Sequence, residues 1–256
     1  MYSLKIFLFI YIQGCVWSLN WCAADEVQAL ILARGGSKGI PNKNLEKLNG
    51  TSLLGRTITI LNSSNLFEHI WVSTDCELIA SEAIKFGALV HKRDAIYARD
   101  NTSSLESVKE FLAAHDSINR VALFQCTSVF LKENYVYEAL QQFESRDCAF
   151  AVTRSHKLRW KLQENGNIVP LNFKPECRPR RQDWPGELIE TGMFYFSTRQ
   201  LVMEENRFQN EKCGIVEIDI VDSLEIDTRT DLVLAECLIA QGSRITGTTA
   251  ACTNLL

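Results

Sequence analysis

From Val27 onward, short apolar runs alternate with segments of helical spacing, and that rhythm limits the fold more than any other feature of the chain. VQALILA (27–33) reads as a buried strand. SLLGRTITILNSS (52–64) places Leu53, Leu54, Thr57, Ile58 and Leu61 on one helical face. HIWVSTD (69–75) is a second strand, and CELIASEAIKFG (76–87) a helix that Gly87 stops; Asp75 either caps its start or, at the strand's end on the active face, contacts substrate. TSSLESVKEFLAAHD (102–116) is a third helix, capped by Ser103 or Ser104. RVALFQC (120–126), ENYVYEALQQFES (133–145) and CAFAVTR (148–154) continue as strand, helix and strand. Repeated β-α units of this length predict an α/β fold with a mostly parallel, Rossmann-like sheet covered by helices on both faces. Ligands of such sheets bind beyond the carboxyl ends of the strands.

The rhythm breaks after Arg154. Residues 155–190 are rich in Arg, Lys, Pro and Trp, and read as an insertion that arches over the sheet or meets another subunit. ETGMFYFST (190–198) and CGIVEIDI (213–220) are strand-like, and SLEIDTRTDLVLAECLIAQG (223–242) reads as strand end, acidic turn and helix. The expected organisation is one domain over 25–242 and an unstructured tail over 243–256.

The first 24 residues differ in kind. One Lys, the apolar run Ile6 to Ile12 and the small residues Ala23 and Ala24 have the order of a secretory signal, with an uncleaved anchor or a buried N-terminal element as alternatives. Three acceptor sequons begin at Asn49, Asn62 and Asn101 and strengthen a secretory-pathway reading. The net charge of −4 disfavours broad nucleic-acid binding. Of nine cysteines, Cys15 and Cys22 lie in or beside the signal-like segment. The other seven form no C-x-x-C pair, so zinc is not expected, and contexts such as those of Cys126 and Cys237 suit buried free thiols rather than a disulfide scaffold.

LILARGGSKGIPNKN (30–44) carries the chemistry of the first strand's end. Gly35 and Gly36 let backbone amides approach an anion, Arg34 and Lys38 add charge, and Asn42 and Asn44 offer amides to a base edge. The spacing matches neither the P-loop nor the dinucleotide fingerprint, and a solvated surface turn is the competing reading. Gln125 ends a strand, where it can meet a ligand or satisfy backbone groups. Arg178, Arg180 and Arg181 form either a solvated patch or a carboxylate grip. Glu225 and Asp227 stand two apart on extended chain, so both project to one side and suit a hard divalent cation. Asp219 and Asp222 lie nearby, while Asp231 suits a helix cap.

These stretches, with WVSTDCELIASEAIKFGALVHKR, QCTS at 125–128, RPRRQDWPGELIETGMFYF at 178–196 and EIDTRTDLVLAE, closely resemble the CMP-sialic acid synthetases (N-acylneuraminate cytidylyltransferases) of animal type. The resemblance covers residues 27 to 240. It implies a three-layer nucleotidyltransferase fold, with 155–190 as a dimerisation insertion in a homodimer where one subunit helps finish the other's site. The implied reaction joins CTP to the anomeric hydroxyl of N-acetylneuraminic acid, giving the CMP-sugar and pyrophosphate by inline attack on the α-phosphorus.

On the same resemblance, Arg34, Gly35, Gly36, Ser37 and Lys38 hold the nucleotide, with Asn44 on the cytosine. Gln125, Ser128, Arg159, Arg180, Arg181 and Gln182 hold the sugar, and Glu225 and Asp227 hold a divalent cation, magnesium or another. Lys38, Asp227 and Arg181 are the implied catalytic residues. The chain departs from the family where Glu225 replaces an Asp and where Val129 and Phe130 replace a Pro. The rival readings are a synthetase for Kdo or another nonulosonic acid, and a non-catalytic CTP-binding protein. The expected place is the secretory lumen, with the Golgi first, and membrane contact only through an uncleaved N-terminal segment. The cytidylyltransferase domain is expected to stand without the phosphatase-like domain of vertebrate relatives.

Overall fold

A computed structural model of the protein describes residues 26–36 and 39–247. The signal-like segment, Ser37, Lys38 and residues 248–256 lie outside the described residues.

Among the described residues the central sheet has seven strands. β1 (Val27–Leu32) lies between β4 (Ile70–Thr74) and β6 (Arg120–Phe124), parallel to both, and β5 (Leu89–Lys92) extends the β4 side, also parallel. Beyond β6 come β10 (Glu187–Thr198), β7 (Cys148–Ser155) and the edge strand β11 (Gly214–Glu217). β10 is antiparallel to both of its neighbours, so the sheet is mostly rather than wholly parallel. β2 (Lys47–Leu48) and β3 (Thr51–Ser52) form a small hairpin before the first helix, and Asn49 and Gly50 turn it with positive φ.

Alternation along β1 explains the layers. Ala29 and Ile31 point to one face, where α1 (Leu53–Ser64), α2 (Glu77–Lys85) and α4 (Glu133–Glu144) contribute Ile58, Ile79 and Phe143 to one core. Leu30 points to the other, against Phe111 of α3 (Ser104–Ala114) and Val202 of α5 (Arg199–Met203). A third cluster packs Ile40, Val129 and Ile226 against Leu232 and Ala235 of α6 (Arg229–Gly247). Val129, one of the two departures from the family pattern, is thus a core residue, and Phe130 packs beside it.

Several expectations hold and others need correction. Ser103 caps α3 through a capping box with Glu106, and Gly87 takes φ +87° just past α2. Asp75 does not cap α2. Cys76 occupies the N-cap position without a side-chain cap, its N–H goes to Thr74 Oγ1, and the Asp75 carboxylate turns instead toward Gly35. α6 continues to Gly247, so the tail is helical past Ser243.

The insertion is not featureless. β8 (Trp160–Leu162) and β9 (Ile168–Pro170) make a hairpin on an arm continuous with the far ends of β7 and β10. Most of its side chains are exposed and none is buried, which is why no core-facing period shows in its sequence. The thiol reading also changes. Cys148 and Cys213 form a disulfide, Cys177 and Cys237 are exposed, and of the named examples Cys126 alone is a buried free thiol.

Candidate active site

The order of the sheet sets the site. The chain runs outward from β1 through β4 to β5, then returns to β6 on the other side of β1. The carboxyl ends of β1 and β6 therefore flank the point where the winding reverses, the usual crevice for a ligand. A cavity of about 240 Å³ opens there, lined by the loop after β1, residues 123–127, Ser104 of α3 and Glu225 of the acidic turn. A second cavity of about 140 Å³ adjoins it, sharing Leu32, Arg34 and Ser104 and adding Arg93, Arg99, Thr102 and Ser107.

The glycine loop is tied down from three sides. Gly35 N–H donates to Asp75 Oδ1 at 2.9 Å, the Arg34 carbonyl accepts from Asn44 Nδ2 at 3.0 Å, and the Arg34 guanidinium meets Asp100 at 2.5 Å. Gly39 passes so close to the acidic turn that a Cβ would lie 2.6 Å from the Asp227 carbonyl. Asn42, at φ 52°, then starts a short 3-10 turn over Lys43–Leu45 that brings Lys43 and Asn44 to the cavity wall. Each end of the Asn44 amide makes one hydrogen bond, since its Oδ1 accepts from the Cys126 thiol at 3.1 Å. Burial pushes that thiol up to about 12, so it stays neutral and is no nucleophile.

Gln125 follows β6, and its side chain rests against Gly192 of β10. A Cβ at Gly192 would stand 3.3 Å from the Gln125 amide, and φ there is +75°, beside the register shift between Glu190 and Tyr195. Gly192→Ala is expected to cost about 1–2 kcal/mol from backbone strain alone, read as a lower urea midpoint at unchanged slope. Ser128 is buried and lines neither cavity.

The acidic turn is set by Ile226, which is fully buried and donates its N–H to Thr127 O. Extended geometry then sends Glu225 and Asp227 to the opposite side. Glu225 lines the cavity and accepts from Thr127 Oγ1 at 2.9 Å. Burial raises its carboxyl above the ordinary range, the hydrogen bond from Thr127 opposes this, and the charge of Asp227 adds to it. Asp227, 68% exposed, meets Lys43 Nζ at 3.0 Å.

Asp222 is held by Lys132 and Tyr135, at 2.5 and 2.6 Å, and anchors the turn rather than facing the cavity. Asp231 accepts from the N–H groups of Asp227 and Thr228, the capping role its position implies. Among the described residues no group of three or more His, Cys, Asp and Glu converges on one metal position.

The arm residues behave differently. Arg159 makes a bidentate pair with Glu187, Arg180 one with Asp183, and Arg181 and Gln182 are exposed on a short 3-10 turn. None of the four lines either cavity of this chain. The structure brings together Arg34, Gly36, Asn44, Gln125 and Glu225, with Asp227 on the rim, and adds Lys43 and Arg93, which the sequence did not single out. Burial lowers the Arg93 guanidinium to about 10, against the charges of Asp75 and Glu110, so it remains a cation at neutral pH.

A family profile described as Cytidylyltransferase matches residues 28–243. N-acylneuraminate cytidylyltransferase A of Danio rerio is 42% identical over 216 residues, covering 82% of this chain and 50% of the relative. The enzyme of that name from Oncorhynchus mykiss is 39% identical, with the same coverage, and that of Streptococcus agalactiae serotype V is 28% identical over 80% of this chain and 51% of its own. The chain therefore spans about half the length of the curated relatives it matches. A solved structure of CMP:2-keto-3-deoxy-manno-octonic acid synthetase complexed with CTP shares the fold, with a TM-score of 0.65 at 14% identity over 85% of this chain and 99% of that one. By its profile match and by relatives aligned along most of its length, the chain belongs to the cytidylyltransferase family.

Proposed function

We propose that this chain transfers CMP from CTP to the anomeric hydroxyl of N-acetylneuraminic acid, releasing pyrophosphate. One observation carries the proposal: the glycine loop, Gln125 and Glu225 converge on one cavity at the winding reversal of the sheet, in a chain 42% identical to an N-acylneuraminate cytidylyltransferase. The sugar oxygen attacks the α-phosphorus and the bond to the β-phosphate oxygen breaks, so the protein's work is alignment and charge stabilisation. Arg34, Lys43 and the loop amides supply positive charge to the triphosphate, joined from the sequence by Ser37 and Lys38. Asn44 holds the Arg34 carbonyl and the Cys126 thiol, and the cytosine is assigned to the smaller cavity. Arg93, whose Nε and one Nη are held by Ser73, offers there its remaining donors beside Ser104.

Glu225 and Asp227 fit a divalent cation such as magnesium. They are two hard carboxylates, one of them raised by burial and further by the charge of the other, and a metal bound through so few protein ligands completes its shell with phosphate oxygens and water. Such a cation would neutralise triphosphate charge and polarise the α-phosphorus. The sugar site is proposed to be finished by a second copy. The arm exposes Trp160, Leu162, Ile168, Leu188 and Ile189, an apolar surface suited to a homodimer that carries Arg159, Arg180, Arg181 and Gln182 toward the partner's cavity. The disulfide supports a secretory-lumen setting, as do exposed Asn49 and Asn101, while Asn62 is exposed but donates its amide to Phe86 O. The Golgi is the proposed compartment.

Purified protein with CTP, magnesium and N-acetylneuraminic acid should release pyrophosphate, and more slowly with Kdo. Faster turnover of Kdo would shift the substrate to that class, and no release with any divalent cation would leave a CTP-binding protein instead.

A further inference from the structure

Asp75 follows β4 with an exposed carboxylate that does not cap α2, whose N-cap position is taken by Cys76. The carboxylate spends itself on the glycine loop, accepting the Gly35 N–H at 2.9 Å. Gly35 is docked tightly onto the same turn, since a Cβ there would lie 2.9 Å from Cys76 Cβ. A negative charge beside a loop built for phosphates opposes their binding, so its presence needs a compensating role. The hydrogen bond supplies one. Without an acceptor at this point, two adjacent glycines have wide conformational freedom and no fixed direction for the amides that follow.

We propose that Asp75 is a positioning residue for the nucleotide loop, fixing Gly35 so that Gly36 lies at the cavity wall while Gly35 itself makes no phosphate contact. The inference rests on reading the loop as the CTP-binding element. The charge of Asp75 also acts on Arg93 of the smaller cavity, against the burial that lowers that guanidinium, and helps keep it protonated. One carboxylate thereby steadies both halves of the nucleotide site.

The test compares Asp75→Ala with Asp75→Asn, whose Oδ1 still accepts a hydrogen bond. Asp75→Ala should raise the KM for CTP about tenfold, the scale of one lost charge-assisted hydrogen bond, with kcat changed less than about threefold. Asp75→Asn should stay within about threefold of the wild type in both. In the ligand-free protein the Gly35 amide should exchange slowly with solvent in wild type and Asp75→Asn, and fast in Asp75→Ala. A KM for Asp75→Ala within about twofold of wild type, or Asp75→Asn as impaired as Asp75→Ala, overturns the proposal. If wild-type protein shows no turnover with CTP, the function reading fails, while the Gly35 exchange rates still decide whether Asp75 holds the loop.

Discussion

Asp227→Ala is expected to reduce CMP transfer by about a hundredfold or more, the scale of charge stabilisation supplied at a metal-assisted phosphoryl site. The fold should be spared. The Asp227 side chain is mostly exposed, its N–H donates to Asp231, and its carbonyl backs Gly39, both of which an alanine keeps. What disappears is the carboxylate opposite Lys43 and the charge that repels Glu225. Pyrophosphate release under saturating CTP, with a thermal melt alongside, separates chemistry from stability. A kcat/KM within about threefold of wild type would remove Asp227 from the site. Glu225→Asp tests the neighbouring position more gently. The shorter acid should withdraw from Thr127 Oγ1 and alter the ratio of magnesium- to manganese-supported rates, and an unchanged ratio would show that Glu225 does not ligate the cation.

The parts of this site that were legible in the sequence share one property: their neighbours in the chain carry the geometry. β1 announces the loop, and β6 announces Gln125. The buried Ile226 between two acids turns Glu225 and Asp227 to one side, as alternation requires. Arg93 and Lys43 were not legible. Arg93 follows β5, a four-residue edge strand with little apolar pattern, and becomes a cavity wall because its guanidinium reaches back to Ser73. Lys43 depends on the left-handed Asn42, whose conformation no spacing announces. Asp75 was legible as a helix cap or a substrate contact at the active face; the cap does not form, and the Gly35 amide it meets arrives from 40 residues away, beyond the reach of local spacing. The seven-strand order follows from the β-α rhythm up to β6. The antiparallel insertion of β10 between β6 and β7 does not, because that pairing is made by residues beyond an irregular arm.

Loss of the Cys148–Cys213 disulfide is expected to have the largest effect on stability. The bridge joins residues separated by 65 positions, and closing a loop of that size in the unfolded chain corresponds to about 4 kcal/mol. For a chain of this length that is a fall in melting temperature of about 8–16 °C. The location sharpens the effect. β11 is an edge strand with one strand partner, and the bridge sits immediately before its first pairing, Gly214 with Ala149. β11 then leads through Ile218, bonded to Val152 O, into the turn anchored by Asp222 that ends at Glu225. Cys213→Ser is the better variant, because Cys148 is fully buried and tolerates a free thiol there more readily than a hydroxyl. Protein secreted through an oxidising compartment should melt well above Cys213→Ser, and wild-type protein kept reduced should melt with the variant. Equal melting of oxidised wild type and Cys213→Ser would mean that the edge strand needs no staple, and would withdraw the disulfide's support for a lumenal protein.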